Sequence, residues 1–247
     1  MTRVLAAAIV VLLAACTAAP ASEPADATEP AASARASEMA ASPSAPPSDG
    51  PTVLDPEPIP HTPAEAMNEE LREELLQRQA EDQSVRTGIP LPGDDRTAEE
   101  LFGQMDAVDR LNTDRMKEVL EEHGWPGWSL VGEDGSTAAW VLVQHADLDM
   151  EFQELALAYL MGAVEAGDAS TGDLAYLIDR VRVAKNLPQV YGTQIGPGPD
   201  GDVAPRTPIE DPDNVDARRA EAGLGTLEEY YDEIREAFGT PAPSATP

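Results

Sequence analysis

The chain has 247 residues, of which 46 are acidic and 16 are lysine or arginine, so its formal net charge is −30. This charge argues against nucleic acid as a partner, because nucleic-acid binding needs cations that displace phosphate counterions. It also disfavours adhesion to an anionic lipid surface. The chain holds one cysteine, which excludes an intramolecular disulfide. The hydrophobic core must therefore stabilise the fold without one.

The first fifteen residues predict an export signal. Arg3 precedes an apolar run over residues 4–15, which is too short for a comfortable membrane span and is typical of a secretory signal peptide. Leu13-Ala14-Ala15-Cys16 resembles the bacterial lipobox, in which the cysteine thiol takes a diacylglyceryl group and becomes the new N-terminus. We therefore predict a lipoprotein signal peptide over residues 1–15 and a lipidated Cys16. The alternative is an ordinary signal peptide with an incidental cysteine.

Acylation of Cys16 predicts where the protein resides. Two or more acyl chains give stable membrane attachment, so the predicted partner is membrane lipid and the predicted location is extracytoplasmic. In a monoderm this is the cell surface, and in a diderm it is the outer membrane or the periplasmic face. Thr17 follows the cysteine, and the absence of Asp there argues against the inner-membrane retention signal of diderm lipoproteins. A protein, peptide or cell-wall partner is not specified.

Composition divides the rest of the chain. Residues 16–63 are dominated by Ala, Pro, Ser, Thr and acidic residues and predict a disordered tether, because they cannot bury enough apolar surface to order themselves. Every aromatic residue lies between positions 102 and 238. We therefore predict one folded domain over residues 64–238 and a disordered tail over residues 239–247.

Helical patterns dominate the first half of this domain. Met67, Leu71 and Leu75 recur at a spacing of four and predict an amphipathic helix over residues 64–86. Thr97 with Glu100 forms a capping-box pattern that starts a second helix. A further start signal stands at residues 112–113, which predicts a separate third helix.

The second half continues the pattern. Gly124 and Pro126 end the preceding helix, residues 132–135 predict a turn, and residues 138–146 predict a buried helix. Asp149 and Ser170 each predict a helix N-cap.

Beyond residue 188 the pattern changes. Gly and Pro crowd residues 192–212, which predicts a short irregular or β-hairpin insertion near residues 189–212. Two helices follow, over residues 214–222 and 227–238. The predicted fold class is mainly α, a single helical bundle with this one insertion.

Two histidines are candidates for chemistry. His123 stands at a predicted helix C-terminus, where it is either a general base, a metal ligand or a cap. His145 interrupts an apolar helix together with Gln144. Buried polar groups need partners, and the sequence offers Asp147, Asp179, Arg180 and Gln194 as candidates. The candidate catalytic residues are therefore His145, His123 and Asp179. The ligand-binding candidates are Gln144, Trp125, Arg180, Gln189, Tyr191, Thr193 and Gln194.

Several site classes lack support in the sequence. The histidines at 123 and 145 follow no recognised metal-ligand spacing, so no metal and no cofactor are predicted. Gly-x-Ser-x-Gly and glycine-rich phosphate loops are also missing from the chain.

At this point the chain resembles a bacterial family known only as a domain of unknown function, found in exported and cytoplasmic proteins. The resemblance covers residues 68–231. It rests on several short motifs: Asp82-Gln83, His123-Gly124-Trp125-Pro126, Ala139-Trp140, Gln144-His145-Ala146, Asp179-Arg180-Val181, Tyr191-Gly192-Thr193-Gln194 and Arg218-Arg219. Ile178 and Gly225-Thr226 depart mildly from the pattern. The resemblance implies membership and no activity.

Three functional hypotheses remain open. The first is a binding or interaction domain with a polar cleft formed by the His123 turn, the Gln144-His145 helix and the loop over residues 191–194. The second is a hydrolase or related acid/base enzyme that uses His145 and His123 with Asp179, either with or without a metal. The third is a spacer or scaffold whose polar segments are structural only.

Overall fold

The computed structural model describes residues 55–87, 97–198 and 202–238. The predicted signal peptide, Cys16, the tether as far as residue 54 and the tail over residues 239–247 lie outside the described residues. The described elements, in chain order, are α1 Glu69–Thr87, α2 Ala98–His123, α3 Trp128–Gln144, α4 Met150–Glu165, α5 Thr171–Ala184, β1 Ile195–Pro197, β2 Val203–Pro205, a 3-10 turn Pro212–Asn214, α6 Val215–Glu221 and α7 Leu227–Phe238.

The mainly α prediction is confirmed, as is the hairpin insertion. α1 packs along α3 and α4 packs along α5, and the core between them contains the fully buried Leu75, Met116, Trp140 and Leu157. β1 and β2 pair antiparallel, with Ile195 opposite Pro205. No helix of the described residues is long and apolar enough to span a membrane.

Side-chain caps begin three helices where the sequence predicts them. Thr97 and Glu100 form the reciprocal capping box of α2, Asp149 accepts a hydrogen bond from Phe152 N, and Ser170 accepts one from Asp173 N. Each cap satisfies a backbone donor that the first helical turn leaves free. These starts were predictable because a cap and its partner lie within three residues of each other.

Two predicted boundaries are wrong. Asn112 and Thr113 do not start a helix, since α2 runs unbroken through them. Both side chains are buried, and Asn112 Oδ1 accepts a hydrogen bond from Arg78 of α1 at 3.3 Å, so the side chains face the neighbouring helix and do not cap. The helix predicted from residue 64 begins at residue 69, because Asn68 Oδ1 accepts from Leu71 N and caps it there.

The predicted turn over residues 132–135 is a kink inside α3. Gly132 has φ 72° and ψ 171°, a conformation that a residue with a Cβ rarely adopts. The chain therefore bends at Gly132 and continues as helix toward Gln144.

An extended segment over residues 55–68, which we call the strap, lies against the bundle before α1 begins. Ile59 N donates to Ala158 O of α4 at 2.9 Å, and Asn68 N donates to Leu130 O of α3 at 2.7 Å. A Cβ on Gly162 would lie 1.8 Å from Ile59 O, so the bare glycine is what lets the strap approach α4. The predicted domain starts at residue 64, and the contacts of the described residues reach back to Asp55, whose carboxylate pairs with Arg182 at 3.2 Å.

Candidate functional site

His145 follows the last residue of α3 and is buried beside Asp82 of α1. Its Nδ1 lies 3.0 Å from Asp82 Oδ1 and 2.9 Å from Oδ2. Asp82 is 0% exposed and His145 is 4% exposed. Because a carboxylate only accepts hydrogen bonds, we assign the proton of the imidazole to Nδ1. No described residue hydrogen-bonds Nε2, which leaves that nitrogen available.

Arg86 links Asp82 to a second carboxylate. Its Nη1 lies 3.2 Å from Asp82 Oδ1, one helical turn earlier on α1, and its Nη2 donates to Asp109 Oδ1 of α2 at 2.6 Å. Gln83 Nε2 donates to Asp82 Oδ2 at 2.9 Å. We call Asp82, Arg86, Asp109 and His145 the His145 cluster. It joins α1, α2 and the end of α3.

The His145 cluster is incompletely satisfied. Arg86 Nη1 is buried and has no hydrogen-bond partner among the described residues, although it faces Asp82. Burial raises the pKa of Asp109, and the nearby Arg86 opposes that rise without cancelling it. Two carboxylates thus share one guanidinium. A buried donor without a partner is unfavourable in a structure that has no use for it.

Three groups of this cluster have the chemistry of metal ligands. One ligand atom each from Asp82, Asp109 and His145 lies within 4.8 Å of the others. No metal site is predicted from the sequence, because the three residues come from different helices and form no local spacing. Among the residues that the structure describes, they are the set that could hold an ion.

Asp179 has a different role from the one predicted for it. Its carboxylate accepts four hydrogen bonds of the loop that follows α5: from Val190 N at 2.6 Å, Tyr191 N at 3.2 Å, Thr193 N at 2.9 Å and Thr193 Oγ1 at 3.0 Å. Burial raises the pKa of Asp179, and these bonds counteract the rise only in part. The side chain organises a loop and does not contact His145.

The glutamines of that loop bind each other and the backbone. Gln189 Nε2 donates to Gln194 O and to Thr207 O, both at 3.1 Å, and Gln189 Oε1 accepts from Gln194 N at 2.7 Å. Gln144, with its amide oriented to suit its neighbours, accepts from Leu177 N and Trp140 Nε1 at 3.1 Å. The predicted ligand-binding side chains are therefore largely occupied by internal hydrogen bonds.

Arg180 connects the loop to the turn after α3. It donates two hydrogen bonds to Asp147 and a third to Gln194 Oε1 at 3.3 Å. Burial raises the pKa of Asp147, but the charge and hydrogen bonds of Arg180 outweigh it and hold the pKa below its usual value. This bidentate pair is complete. Like the Asp179 contacts, it fixes the fold around His145 without opening a site.

His123 and Trp125 lie away from the His145 cluster. His123 is the last residue of α2, with its side chain 25% exposed and Nε2 3.7 Å from Glu122. Asp109, within the cluster, lies roughly four turns earlier on the same helix, on the order of 20 Å at about 1.5 Å per residue. The structure therefore does not bring the two predicted catalytic histidines together. Trp125 is fully buried in the core.

Asp82, Arg86 and Asp109 are cluster residues that the sequence did not indicate as site candidates. Asp82 was noted only within a motif, and its contact with His145 joins positions 63 apart in the chain. One local signal was available, since Asp82 and Arg86 are spaced as an i, i+4 ion pair on a helix. Nothing local could have added Asp109.

A third histidine fastens the strap. His61 Nε2 lies 2.9 Å from Asp168 Oδ2, which also accepts from Ser129 Oγ at 2.6 Å. Ser129 Oγ in turn accepts from Ala64 N at 2.7 Å. Both the serine and the histidine bind the same carboxylate, so the group holds the strap and lacks the serine–histidine contact that nucleophilic catalysis needs.

A pocket of about 200 Å³ lies between α2 and the turn before α4. Its residues on α2 stand one to eight positions beyond Asp109, and its other residues stand three and four positions beyond His145; no residue of the His145 cluster lines it. Its lining residues are Arg110, Thr113, Asp114, Lys117, Leu148 and Asp149. Lys117 Nζ pairs with Asp149 at 2.7 Å. The wall is thus mainly charged, which suits a small polar ligand.

The model of a family of unknown function, DUF6624, matches residues 69–242. The match begins at the first residue of α1 and includes every helix described above. No curated protein and no solved structure matches the chain.

Proposed function

The chain belongs to the family of unknown function DUF6624, and from that premise we propose that it is a membrane-tethered binding domain whose ligand site is the His145 cluster. The membership agrees with the predicted resemblance. The supporting observation is the buried Nη1 of Arg86, which faces Asp82 and has no hydrogen-bond partner in the described part of the chain. A native fold retains such a group mainly where a ligand, an ion or a water satisfies it.

The surroundings of the cluster strengthen this proposal. The neighbouring contacts of Asp179 and Arg180 are complete, whereas Arg86 Nη1 is one of the buried side-chain atoms of the described residues that have no hydrogen-bond partner. A binding site in the predicted loop would instead have to break the existing bonds of Gln189 and Gln194.

The stability of an Asp109→Asn variant tests whether the cluster is a site or part of the architecture. Asparagine keeps an acceptor for Arg86 and removes one buried charge. We expect urea unfolding of the chelator-treated chain to give a free energy within about 1 kcal/mol of the original, as is usual when binding residues are replaced. A structural ion pair would instead lose about 3–5 kcal/mol.

The matched control is Asp106→Asn, which removes an exposed carboxylate three residues earlier on α2. A loss above about 3 kcal/mol for Asp109→Asn alone would assign the cluster to the architecture and overturn the proposed function.

The pairing of His145 with Asp82 favours a second candidate, a hydrolase-type acid/base enzyme. Asp82 holds the imidazole through Nδ1 and leaves Nε2 able to accept a proton, the arrangement used by general bases. Purified protein would be offered chromogenic carboxylate esters, phosphate esters, amides and glycosides. For an enzyme, His145→Gln should reduce turnover by about 10²–10⁴, while the matched His123→Gln should leave it within threefold or so. Absence of turnover, or equal turnover in both variants, rejects this candidate.

We also propose that acylated Cys16 attaches the domain to a membrane on the extracytoplasmic side. The support is the lipobox-like Leu13-Ala14-Ala15-Cys16 and the sole cysteine at the required position. Growth with a clickable palmitate analogue should label the chain, and Cys16→Ser should abolish the label and release the protein from the membrane fraction. A labelled Cys16→Ser variant, or an unlabelled original chain, would contradict the anchor.

A further inference from the structure

We propose that the His145 cluster binds one divalent first-row transition cation, through a carboxylate oxygen of Asp82, a carboxylate oxygen of Asp109 and a ring nitrogen of His145. This inference rests on the proposed function, because it names the ligand of the same site. It also departs from the sequence-based prediction that the chain binds no metal.

The distances among the three ligand residues suit a shared ion. One atom from each lies within 4.8 Å of the others, and His145 Nδ1 lies 2.9–3.0 Å from the oxygens of Asp82. Two ligand atoms that sit at right angles, each about 2.1 Å from an ion, are about 3.0 Å apart. The His145–Asp82 contact therefore has the length of one edge of a coordination sphere as well as that of a hydrogen bond, and a cation bound through Nδ1 would take the place of the proton there, leaving the neutral imidazole protonated at Nε2.

The balance of charge also favours a cation. Asp82 is fully buried and the side chain of Asp109 is 12% exposed, and the positive charge placed beside both is Arg86. Buried carboxylates are retained when they are paired or coordinate a metal. A divalent ion supplies the charge that a single guanidinium does not.

Arg86 provides an independent observation that points to a ligand. Its side chain is 9% exposed, and its buried Nη1 forms an ion pair with Asp82 Oδ1 at 3.2 Å but makes no hydrogen bond among the described residues. An ion held by three protein ligands keeps further positions for water or an anion. A coordinated oxygen beside Arg86 would accept the hydrogen bond of Nη1, so one hydrated cation answers both the charge and the unused donor.

The donor atoms indicate the class of ion. Calcium and magnesium prefer sites made of oxygen alone, whereas one imidazole with two carboxylates suits manganese, iron, cobalt or zinc. Hydrogen bonds already orient the carboxylates, since Gln83 donates to Asp82 and Arg86 Nη2 donates to Asp109. Such outer contacts are typical of metal sites and hold the ligands in place.

The test is a titration of the full chain with cobalt(II) and zinc(II) after treatment with a chelator. Calorimetry measures affinity and stoichiometry, and the visible absorption of cobalt(II) reports its coordination. The solution should contain about 0.15 M salt, because a net charge of −30 attracts cations without a site and salt screens that attraction. We expect one equivalent to bind to the original chain, with an association constant at least tenfold lower in Asp109→Asn.

Asp106→Asn is the matched control, since it has the same net charge as Asp109→Asn and lies on the same helix. Its association constant should stay within twofold of the original. If circular dichroism shows that Asp109→Asn is unfolded, His145→Gln takes its place and should lose both affinity and the cobalt spectrum. No uptake by the original chain, or equal uptake by Asp109→Asn and Asp106→Asn, overturns the cation proposal.

The two proposals fail in different ways. If Asp109→Asn is stable in urea and the original chain binds no ion, the cation proposal fails but the proposed ligand site stands. If Asp109→Asn without metal is strongly destabilised, the cluster belongs to the architecture and the proposed ligand site is rejected.

Discussion

Asp179 and Asp82 are both fully buried carboxylates on helices, yet their surroundings differ in kind. Asp179 accepts four hydrogen bonds, three of them from backbone amides of one loop. Asp82 faces three side chains, from Gln83, Arg86 and His145, and one donor beside it is left unused. Backbone amides within a folded loop have few alternative positions, whereas side chains can exchange partners when a ligand arrives. The first carboxylate therefore builds the fold, and the second is the better candidate for binding.

The comparison also corrects the weight given to motifs. Tyr191, Thr193 and Gln194 form a distinctive polar run in the sequence, which favoured a ligand cleft. In the structure their backbone or side-chain donors form hydrogen bonds with Asp179, Gln189 and a neighbouring carbonyl. A polar motif in an apolar context can serve a loop as readily as a ligand.

The largest effect is expected from Asp179→Asn. The new amide would place donors against the N–H groups of Val190, Tyr191 or Thr193, so several buried donors would lose their acceptor. We expect urea unfolding to show a loss of about 3–5 kcal/mol, against little change for Asp106→Asn. A loss below about 1 kcal/mol would mean that Asp179 does not hold the loop, and the contrast with Asp82 would disappear.

A smaller effect, dependent on pH, is expected at Asp173 of α5. Burial raises the pKa of Asp173 to about 7, and a hydrogen bond with Ser170 opposes the rise. Because the folded-state pKa lies above the unfolded value, the folded protein keeps the proton while the unfolded chain loses it. Stability is therefore greatest below about pH 4 for this group and falls as pH rises toward about 7.

Asp173→Asn isolates that contribution. The stability gained by the variant relative to the original chain should grow by about 2–4 kcal/mol between pH 4 and 7.5, as measured by urea unfolding across that range. Asp106→Asn should show no such trend. If the difference in unfolding free energy between Asp173→Asn and the original chain stays constant with pH, the pKa of Asp173 is not raised in the folded protein.

The smallest effect is expected from Thr193→Val, which removes one of the four donors to Asp179 while keeping the side-chain shape. Three backbone donors remain, so the loss should be about 1 kcal/mol. Thermal or urea unfolding can measure it. A loss as large as that of Asp179→Asn would show that the hydroxyl, and not the backbone, fixes the carboxylate.

Local features were predictable from the sequence and long-range ones were not. The caps at Thr97, Asp149 and Ser170 depend on residues three positions away, so a pattern reveals them. Asn112 with Thr113 carries the same kind of pattern, but burial against α1 overrides it.

The candidate site illustrates the second case. His145 stands out in the sequence because it interrupts an apolar helix, but its partner Asp82 lies 63 positions away. Sequence spacing could not choose Asp82 over Asp147 or Asp179, because only the packing of α1 on α3 decides which carboxylate meets the imidazole. Composition likewise predicted a tether over residues 55–63. The feature that lets these residues pack on α4 is Gly162, which lies about a hundred positions later in the chain and so could not be linked to them from the sequence.

The strap has a mechanical consequence for any pull that reaches the domain from its N-terminal side. Such a load first meets the contact of Asp55 with Arg182, then that of Ile59 with Ala158, then that of His61 with Asp168. Because these contacts follow one another along the chain, each must break before the load passes to the next, and α1 is loaded last. The strap contacts would therefore bear such a load before it reached α1, the helix that supplies Asp82.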